Sequence, residues 1–202
     1  TWYVPHDVKS LINLIGERQF IDRLNAGFAT SEKVSFNALG DNMGAYPINH
    51  GNETNMQAAY LFSYTSEPWH TQKWARAIQE KYYGMGPRDA YPGDEDQGQM
   101  SSWYILSSIG LFQMDGGCSK DPVWLLGSPR FDRVEILLDN TYYSGKKLII
   151  KAENVSKDNC YIQYVRFNNK RLSNNYIEWS KLKKGGTLHF IMGDRPNPNA
   201  FK

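Results

Sequence analysis

Apolar residues in the first half of the chain recur at helical spacing. The segment 8–15 carries them three or four positions apart, and the segments 20–28 and 69–82 repeat this spacing. Such spacing is typical of helices that bury one face. Asp7, directly before the first segment, belongs to the residue types that cap helix N-termini. The pattern predicts helices and loops up to about residue 115.

The hydrophobic pattern changes after Phe112. Short segments rich in β-branched and aromatic residues follow, separated by turn signals such as 139–145 and 183–186. This arrangement is typical of a small antiparallel β-sandwich, which we place at about 121–193. The stretch 167–172 has the composition of a tight hairpin. We therefore predict an α+β chain with a helical part at 1–115 and a β-rich part at 116–202.

The charge balance of the chain excludes one class of partner. Lys plus Arg number 23 and Asp plus Glu number 21, for a formal net charge of +2. Nucleic-acid binding requires a basic excess, so we expect no such partner. We also expect no membrane-spanning segment, because no apolar run reaches about 20 residues. Aromatic residues make up 14% of the chain, which suits a carbohydrate-binding surface and equally suits an aromatic core.

Two polar loops could carry chemistry. The first, the 48–57 loop, contains His50, Asn52, Glu53 and Gln57 just before an apolar helix. Asn and Glu at such a position are favoured by the helix dipole, so helix capping explains them as well as a site does.

The second loop, the 91–98 loop, contains three adjacent acids, Asp94, Glu95 and Asp96. One acid is enough to cap the following helix, whereas three raise one another's pKa unless a cation or hydrogen-bond donor offsets them. Such crowding suits a bound metal or a carboxylate that acts as a base, and oxygen ligands of this kind suit Ca²⁺. The alternation of side chains can direct two of the carboxylates one way and the middle one another.

The motifs HGNETNMQAAYLFSY, PWHTQKWARAI and YPGDEDQGQMSSWYILSSIGLF, with TWYVPHDV and LLGSPRFDRVEILL, together resemble glycoside hydrolase family 92. Members of this family are bacterial, calcium-dependent, inverting exo-acting α-mannosidases with an N-terminal β-sandwich and an (α/α)6 barrel. The resemblance covers essentially the whole chain. It implies that the helices form the last part of the barrel, with the β-sandwich after them, and that the chain is the C-terminal part of a longer enzyme.

The resemblance implies roles for the matching residues. Asp94 and Asp96 correspond to the carboxylates that activate water. Asn52, Glu53 and Asp96 are the implied calcium ligands. The implied sugar contacts are His50, Glu53, Gln57, Trp2, His6 and Asp7. The implied partners are a mannose-containing glycan and the remainder of the parent enzyme, in the periplasm or outside the cell.

The chain departs from the family pattern at two points. The usual GNEPSH is here GNETNM, with Thr54, Asn55 and Met56, and a His-Glu pair typical of α-1,2-specific members is absent upstream. The linkage preference is therefore open. The catalytic acid is expected before Thr1, so we expect the isolated chain to be inactive. The alternatives are a non-catalytic carbohydrate-binding module and a structural domain with charged helix caps.

Overall fold

A computed structural model describes residues 2–38, 44–93 and 95–202 of the chain. The chain divides into two compact units, the first ending at Ile105 and the second comprising Leu106–Lys202. Within the described ranges, no helix combines the length and the hydropathy needed to cross a bilayer. The assignment of 1–115 and 116–202 to two domains of a parent enzyme stays a prediction.

The first unit is helical. Its helices are α1 (Val8–Ile15), α2 (Glu17–Ser31), α3 (Glu53–Met56), α4 (Trp69–Lys81) and α5 (Gln99–Ser108), the last of which crosses the boundary between the units, and 3₁₀ turns lie at Glu32–Val34 and Ala58–Tyr64. The predicted cap of α1 is confirmed, since the backbone N–H of Ser10 donates to Oδ1 of Asp7 over 3.1 Å.

Aromatic packing holds this unit together. The rings of Phe28 and Trp74 stack with centroids 5.3 Å apart, which joins α2 to α4. Phe36 and Phe62 pack against Phe28 at 6.2 and 6.0 Å. All four side chains are almost completely buried. These four aromatic residues therefore serve the core and not a sugar-binding surface.

The second unit contains two sheets. Its strands are β1 (Leu111–Phe112), β2 (Val123–Leu126), β3 (Arg133–Leu137), β4 (Lys147–Glu153), β5 (Tyr161–Phe167), β6 (Lys170–Arg171), β7 (Tyr176–Glu178) and β8 (Gly186–Gly193), with the short helix α6 (Trp179–Leu182) before β8. One sheet has the order β1-β2-β7, and the other has the order β3-β4-β8-β5-β6. Buried residues of both sheets, among them Leu126, Ile177 and Phe190, form one hydrophobic cluster.

The predicted α+β class is confirmed, but the larger sheet is not wholly antiparallel. Strands β4 and β8 pair in parallel, with Leu148 opposite Gly186 and Glu153 opposite Ile191. A parallel pair needs a long crossover between its strands. Here the crossover consists of residues 154–185, which include β5, β6, β7 and α6. Alternation along each strand predicts its buried face and leaves its partner undetermined.

The predicted tight hairpin at 167–172 is confirmed. Strands β5 and β6 pair antiparallel through Phe167 and Lys170. Asn168 and Asn169 form the turn with φ angles of 48° and 67°. Both residues thus occupy the left-handed region, as a type I′ turn requires, and Asn tolerates this region better than most residues.

This turn allows a test of the hairpin. We expect Asn169→Val to lower the free energy of unfolding by about 1–2 kcal/mol, because a β-branched residue is disfavoured at positive φ. Asn169→Gly is the matched control and should change it by less than about 0.5 kcal/mol. Urea denaturation measures both, and equal stability of the two variants would contradict the assignment of the turn.

Candidate functional site

The 48–57 loop and the 91–98 loop meet at two glycines. A Cβ atom built on Gly51 would lie 2.9 Å from the Cα of Gly93, and one built on Gly93 would lie even closer to the Cα of Gly51. Carbon atoms do not approach so closely, so both positions require glycine. The hydroxyl of Tyr82 lies beside them, 2.5 Å from the Cβ position on Gly93. Each acidic segment follows directly after one of these glycines.

In the 48–57 loop, Asn52 caps helix α3. Its Oδ1 accepts hydrogen bonds from the backbone N–H and from the hydroxyl of Thr54, at 3.2 and 2.6 Å. Glu53 lies in the first turn of α3 and is exposed. Gln57 is buried and donates from Nε2 to the carbonyl of Thr54 over 3.0 Å. Capping therefore accounts for the contacts of Asn52 and leaves the Glu53 carboxylate open to solvent.

In the 91–98 loop, the middle acid caps helix α5. Oε1 of Glu95 accepts from the backbone N–H of Ser101 over 3.0 Å, and Oε2 accepts from the backbone N–H of Gly98. These bonds, those from Ser101 foremost, lower the pKa of Glu95 and keep it ionised. Asp94, predicted to be catalytic, lies outside the described residues. Glu95 thus performs the capping that the sequence predicts for one acid of this loop.

The backbone after Glu95 is unusual. Asp96, Gln97 and Gly98 follow one another with φ angles of 47°, 57° and 95°, all in the left-handed region. Only glycine adopts this region without cost, and a non-glycine residue there costs about 1–3 kcal/mol. Residues held in such conformations cluster at functional sites. The side chain of Asp96 is exposed at this turn.

His50 lies beneath the contact of the two loops. It is completely buried, and its ring packs edge-on against Trp103 at 4.3 Å and Tyr82 at 4.9 Å. Nε2 lies 2.8 Å from the hydroxyl of Tyr83, and that hydroxyl donates to the carbonyl of Met100 over 3.2 Å. Burial lowers the pKa of His50 to about 3, so its ring is neutral at physiological pH.

The remaining predicted sugar contacts lie elsewhere in the first unit. Trp2 packs edge-on against Phe20 at 5.4 Å and lines an open cleft of about 510 Å³, to which the side chain of Arg23 also contributes. The described lining of this cleft includes no residue of the two acidic loops. His6 and Asp7 are exposed at the start of α1, where Asp7 serves as the cap. Their contact with a sugar stays a prediction.

The donor atoms on the two loops suit a hard cation. Asn52, Glu53 and Asp96 offer only oxygen, the ligand type that Ca²⁺ prefers. Among residues 2–38, 44–93 and 95–202, however, no group of three His, Cys, Asp or Glu side chains is arranged to hold a metal. Asn52 is further committed to Thr54. A calcium site at these loops therefore stays a prediction.

Sequence reasoning missed the aromatic residues that support the site. The sequence pattern includes Tyr82 only as the last apolar residue of the segment 69–82, and it predicts no role for Tyr83 or Trp103. The two glycines were the available signal. Gly51 and Gly93 each directly precede an acidic segment, and glycine at such a point permits close backbone approach.

Comparison with known proteins connects this geometry to a family. Residues 1–194 match the model of the glycosyl hydrolase family 92 catalytic domain. A protein of Arthroderma benhamiae described as an uncharacterized secreted glycosidase is 29% identical over 195 residues, which are 95% of this chain and 22% of that protein.

Two solved structures of the same family are similar to this chain in sequence and in fold. A family GH92 α-mannosidase of Bacteroides thetaiotaomicron in complex with mannoimidazole is 32% identical, with a TM-score of 0.82, over 99% of this chain and 25% of its own. A family GH92 inverting mannosidase of Bacteroides thetaiotaomicron VPI-5482 is 30% identical, with a TM-score of 0.79, over 99% of this chain and 27% of its own. The chain spans about a quarter of the length of these relatives.

The glycine contact predicts the effect of adding a methyl group. We expect Gly93→Ala to lower the free energy of unfolding by about 1–3 kcal/mol, because the new Cβ must displace the backbone at Gly51. Gly44→Ala is the matched control, since a Cβ at Gly44 meets no described atom within 4 Å. Thermal unfolding of both variants measures the difference, and equal stability would argue against a direct contact of the two loops.

Proposed function

Because the chain belongs to glycosyl hydrolase family 92, we propose that it forms part of the active site of an α-mannosidase that hydrolyses terminal α-mannosyl linkages of glycans. The observation that carries the proposal is the contact of Gly51 with Gly93, the two glycines that directly precede the segments 52–53 and 94–96 in the sequence. A carbohydrate-binding module has no need of a second acidic segment at this point. The similarity to two solved mannosidases supports the choice of mannosides as substrates.

In this proposal, Asp94 and Asp96 supply the base. Glu95 accepts hydrogen bonds from two backbone N–H groups at the start of α5, and it takes no part in the proton transfer. The exposed Asp96 carboxylate, together with Asp94, then takes a proton from water as the water attacks the anomeric carbon. In an inverting hydrolysis the proton donor stands on the opposite side of the bond, with the two carboxyl groups roughly 6.5–9.5 Å apart.

The proton donor belongs, in this proposal, to the rest of the parent enzyme. The chain spans only about a quarter of its solved relatives. We also propose that the enzyme acts in the periplasm or outside the cell. The description of the Arthroderma benhamiae relative as secreted supports this location.

We further propose that calcium is bound by the oxygen atoms of the two loops. Glu53 and Asp96 are the exposed carboxylates suited to this role, whereas Asn52 already accepts two hydrogen bonds from Thr54. When bound, the ion would orient the sugar by its hydroxyl groups and favour distortion of the ring toward the transition state. Calcium takes six to eight oxygen ligands, so the remaining ones come from sugar, water or other parts of the enzyme.

Removal of the base tests the catalytic proposal. We expect Asp94→Asn and Asp96→Asn, each made in the full-length enzyme, to lower kcat by about 10²–10⁴-fold with little change in KM. The substrate is an aryl α-mannoside, and proton NMR follows the anomer of mannose released by the wild type. Inversion predicts that β-mannose appears first.

The control for these variants is Asp158→Asn, which changes an exposed acid of the second unit and should leave kcat unaltered. Undiminished turnover in both Asp94→Asn and Asp96→Asn would reject the base role. If the full-length wild type binds mannosides without hydrolysing them, the result would favour the alternative hypothesis of a non-catalytic carbohydrate-binding module over that of an enzyme.

Removal of calcium tests the metal proposal. We expect a chelator to abolish turnover and added Ca²⁺ to restore it, with Glu53→Gln needing at least about tenfold more Ca²⁺ for half-maximal recovery, as loss of one charged ligand weakens such sites. Calorimetric titration of the calcium-depleted protein with Ca²⁺ measures binding independently of the activity assay. Full activity after chelation, with no heat of binding, would exclude a calcium site.

A further inference from the structure

We propose that Tyr83 is a positioning residue, whose hydroxyl links the two acidic loops and holds them in the arrangement that catalysis needs. The inference rests on the proposed function and deepens it. Tyr83 lies in neither loop and follows the end of α4. It acts through the residues to which its hydroxyl is bonded.

The hydroxyl of Tyr83 bridges the 48–57 loop and the first turn of α5, which directly follows the 91–98 loop. On one side it meets Nε2 of His50 over 2.8 Å, next to Gly51. On the other side it donates to the carbonyl of Met100 over 3.2 Å, in the first turn of α5. That turn also receives the cap from Glu95, which bonds to the N–H of Ser101. One oxygen atom thus connects the backbone beside the first acidic segment to the helix end beside the second.

The direction of each proton follows from this pair of bonds. A carbonyl only accepts, so the hydroxyl of Tyr83 donates to Met100, and Nε2 of His50 must then donate to the Tyr83 oxygen. His50 is thereby assigned the tautomer protonated at Nε2. Nδ1 is buried with no hydrogen-bonding partner among the described residues. The link uses the single hydrogen-bond donor of each side chain. Replacement of either residue by one without a donor therefore removes a hydrogen bond.

The ring of Tyr83 is also held in place by packing. It stacks on Trp103 with an interplanar angle of 10° and a centroid distance of 5.9 Å, and it contacts Tyr104 at 4.8 Å. Removal of the hydroxyl therefore leaves the ring where it is. The substitution Tyr83→Phe deletes the link between the loops with little disturbance of the core.

The expected result is a selective loss of turnover. In the full-length enzyme, Tyr83→Phe should lower kcat by about 10–100-fold, because a displacement of about 1 Å between catalytic groups costs up to about 100-fold. KM should change by less than about threefold, since the sugar contacts themselves remain. Tyr142→Phe is the control for loss of a tyrosine hydroxyl, at a side chain that is 78% exposed in the second unit, and should leave kcat unaltered.

Hydrogen exchange supplies a readout that does not depend on activity. Loss of one net hydrogen bond should speed exchange about two- to tenfold. We expect this acceleration in Tyr83→Phe at the backbone N–H groups of 50–53 and of 98–101 together. An inactive wild-type enzyme would overturn the proposed function. Hydrogen exchange alone would then test whether Tyr83 links the two loops.

The proposal is overturned by an unchanged kcat in Tyr83→Phe, or, where the wild type is inactive, by unchanged exchange in either segment. Variants at His50 decide the same question should Tyr83→Phe fail to fold. His50→Gln retains a hydrogen-bond donor near the position of Nε2, and its kcat should be about tenfold higher than that of His50→Leu. A large rise in KM at constant kcat in His50→Gln would instead identify His50 as a sugar contact.

Discussion

The site depends on the absence of two side chains. Gly51 and Gly93 bring their backbones closer than any pair of residues with a Cβ atom could come. Since the contact is made by main chain, the residues that follow it are not needed for packing. Asn52, Glu53, Glu95 and Asp96 can therefore be selected for what their side chains bind, while the glycines keep the two loops together.

Structural and chemical tasks are divided among neighbouring residues. Asn52 and Glu95 satisfy backbone N–H groups at the starts of α3 and α5, where an acceptor is stabilising. Glu53 and Asp96 beside them are exposed. Capping by one residue of each loop thus leaves an exposed carboxylate beside it for the proposed site, so the two explanations of these loops are compatible. Three adjacent acids are tolerable because backbone N–H groups at the helix end stabilise the negative charge of one of them, Glu95.

Periodicity along the chain predicted the elements well, including the capped helix α1 and the hairpin at 167–172. It could not predict which distant segments meet, because a buried face looks the same whatever covers it. The contact of Gly51 with Gly93 and the parallel pairing of β4 with β8 are both of this kind. The polar residues of both loops marked them as candidate sites, and the family resemblance went further by implying a role for each residue. The role of Tyr83 could not be predicted because nothing in the sequence distinguishes it from other aromatic residues at helix ends.

The position of β8 has a consequence for how the second unit forms. This strand is the last of the five strands of its sheet to occur along the chain, yet it lies between β4 and β5, at the centre of that sheet. Until the ribosome has released residues 186–193, β4 and β5 each expose an unsatisfied edge. Exposed edges invite pairing with other chains. The half-made sheet is therefore vulnerable to aggregation, and a nascent chain that stalls before β8 is a natural client for chaperones.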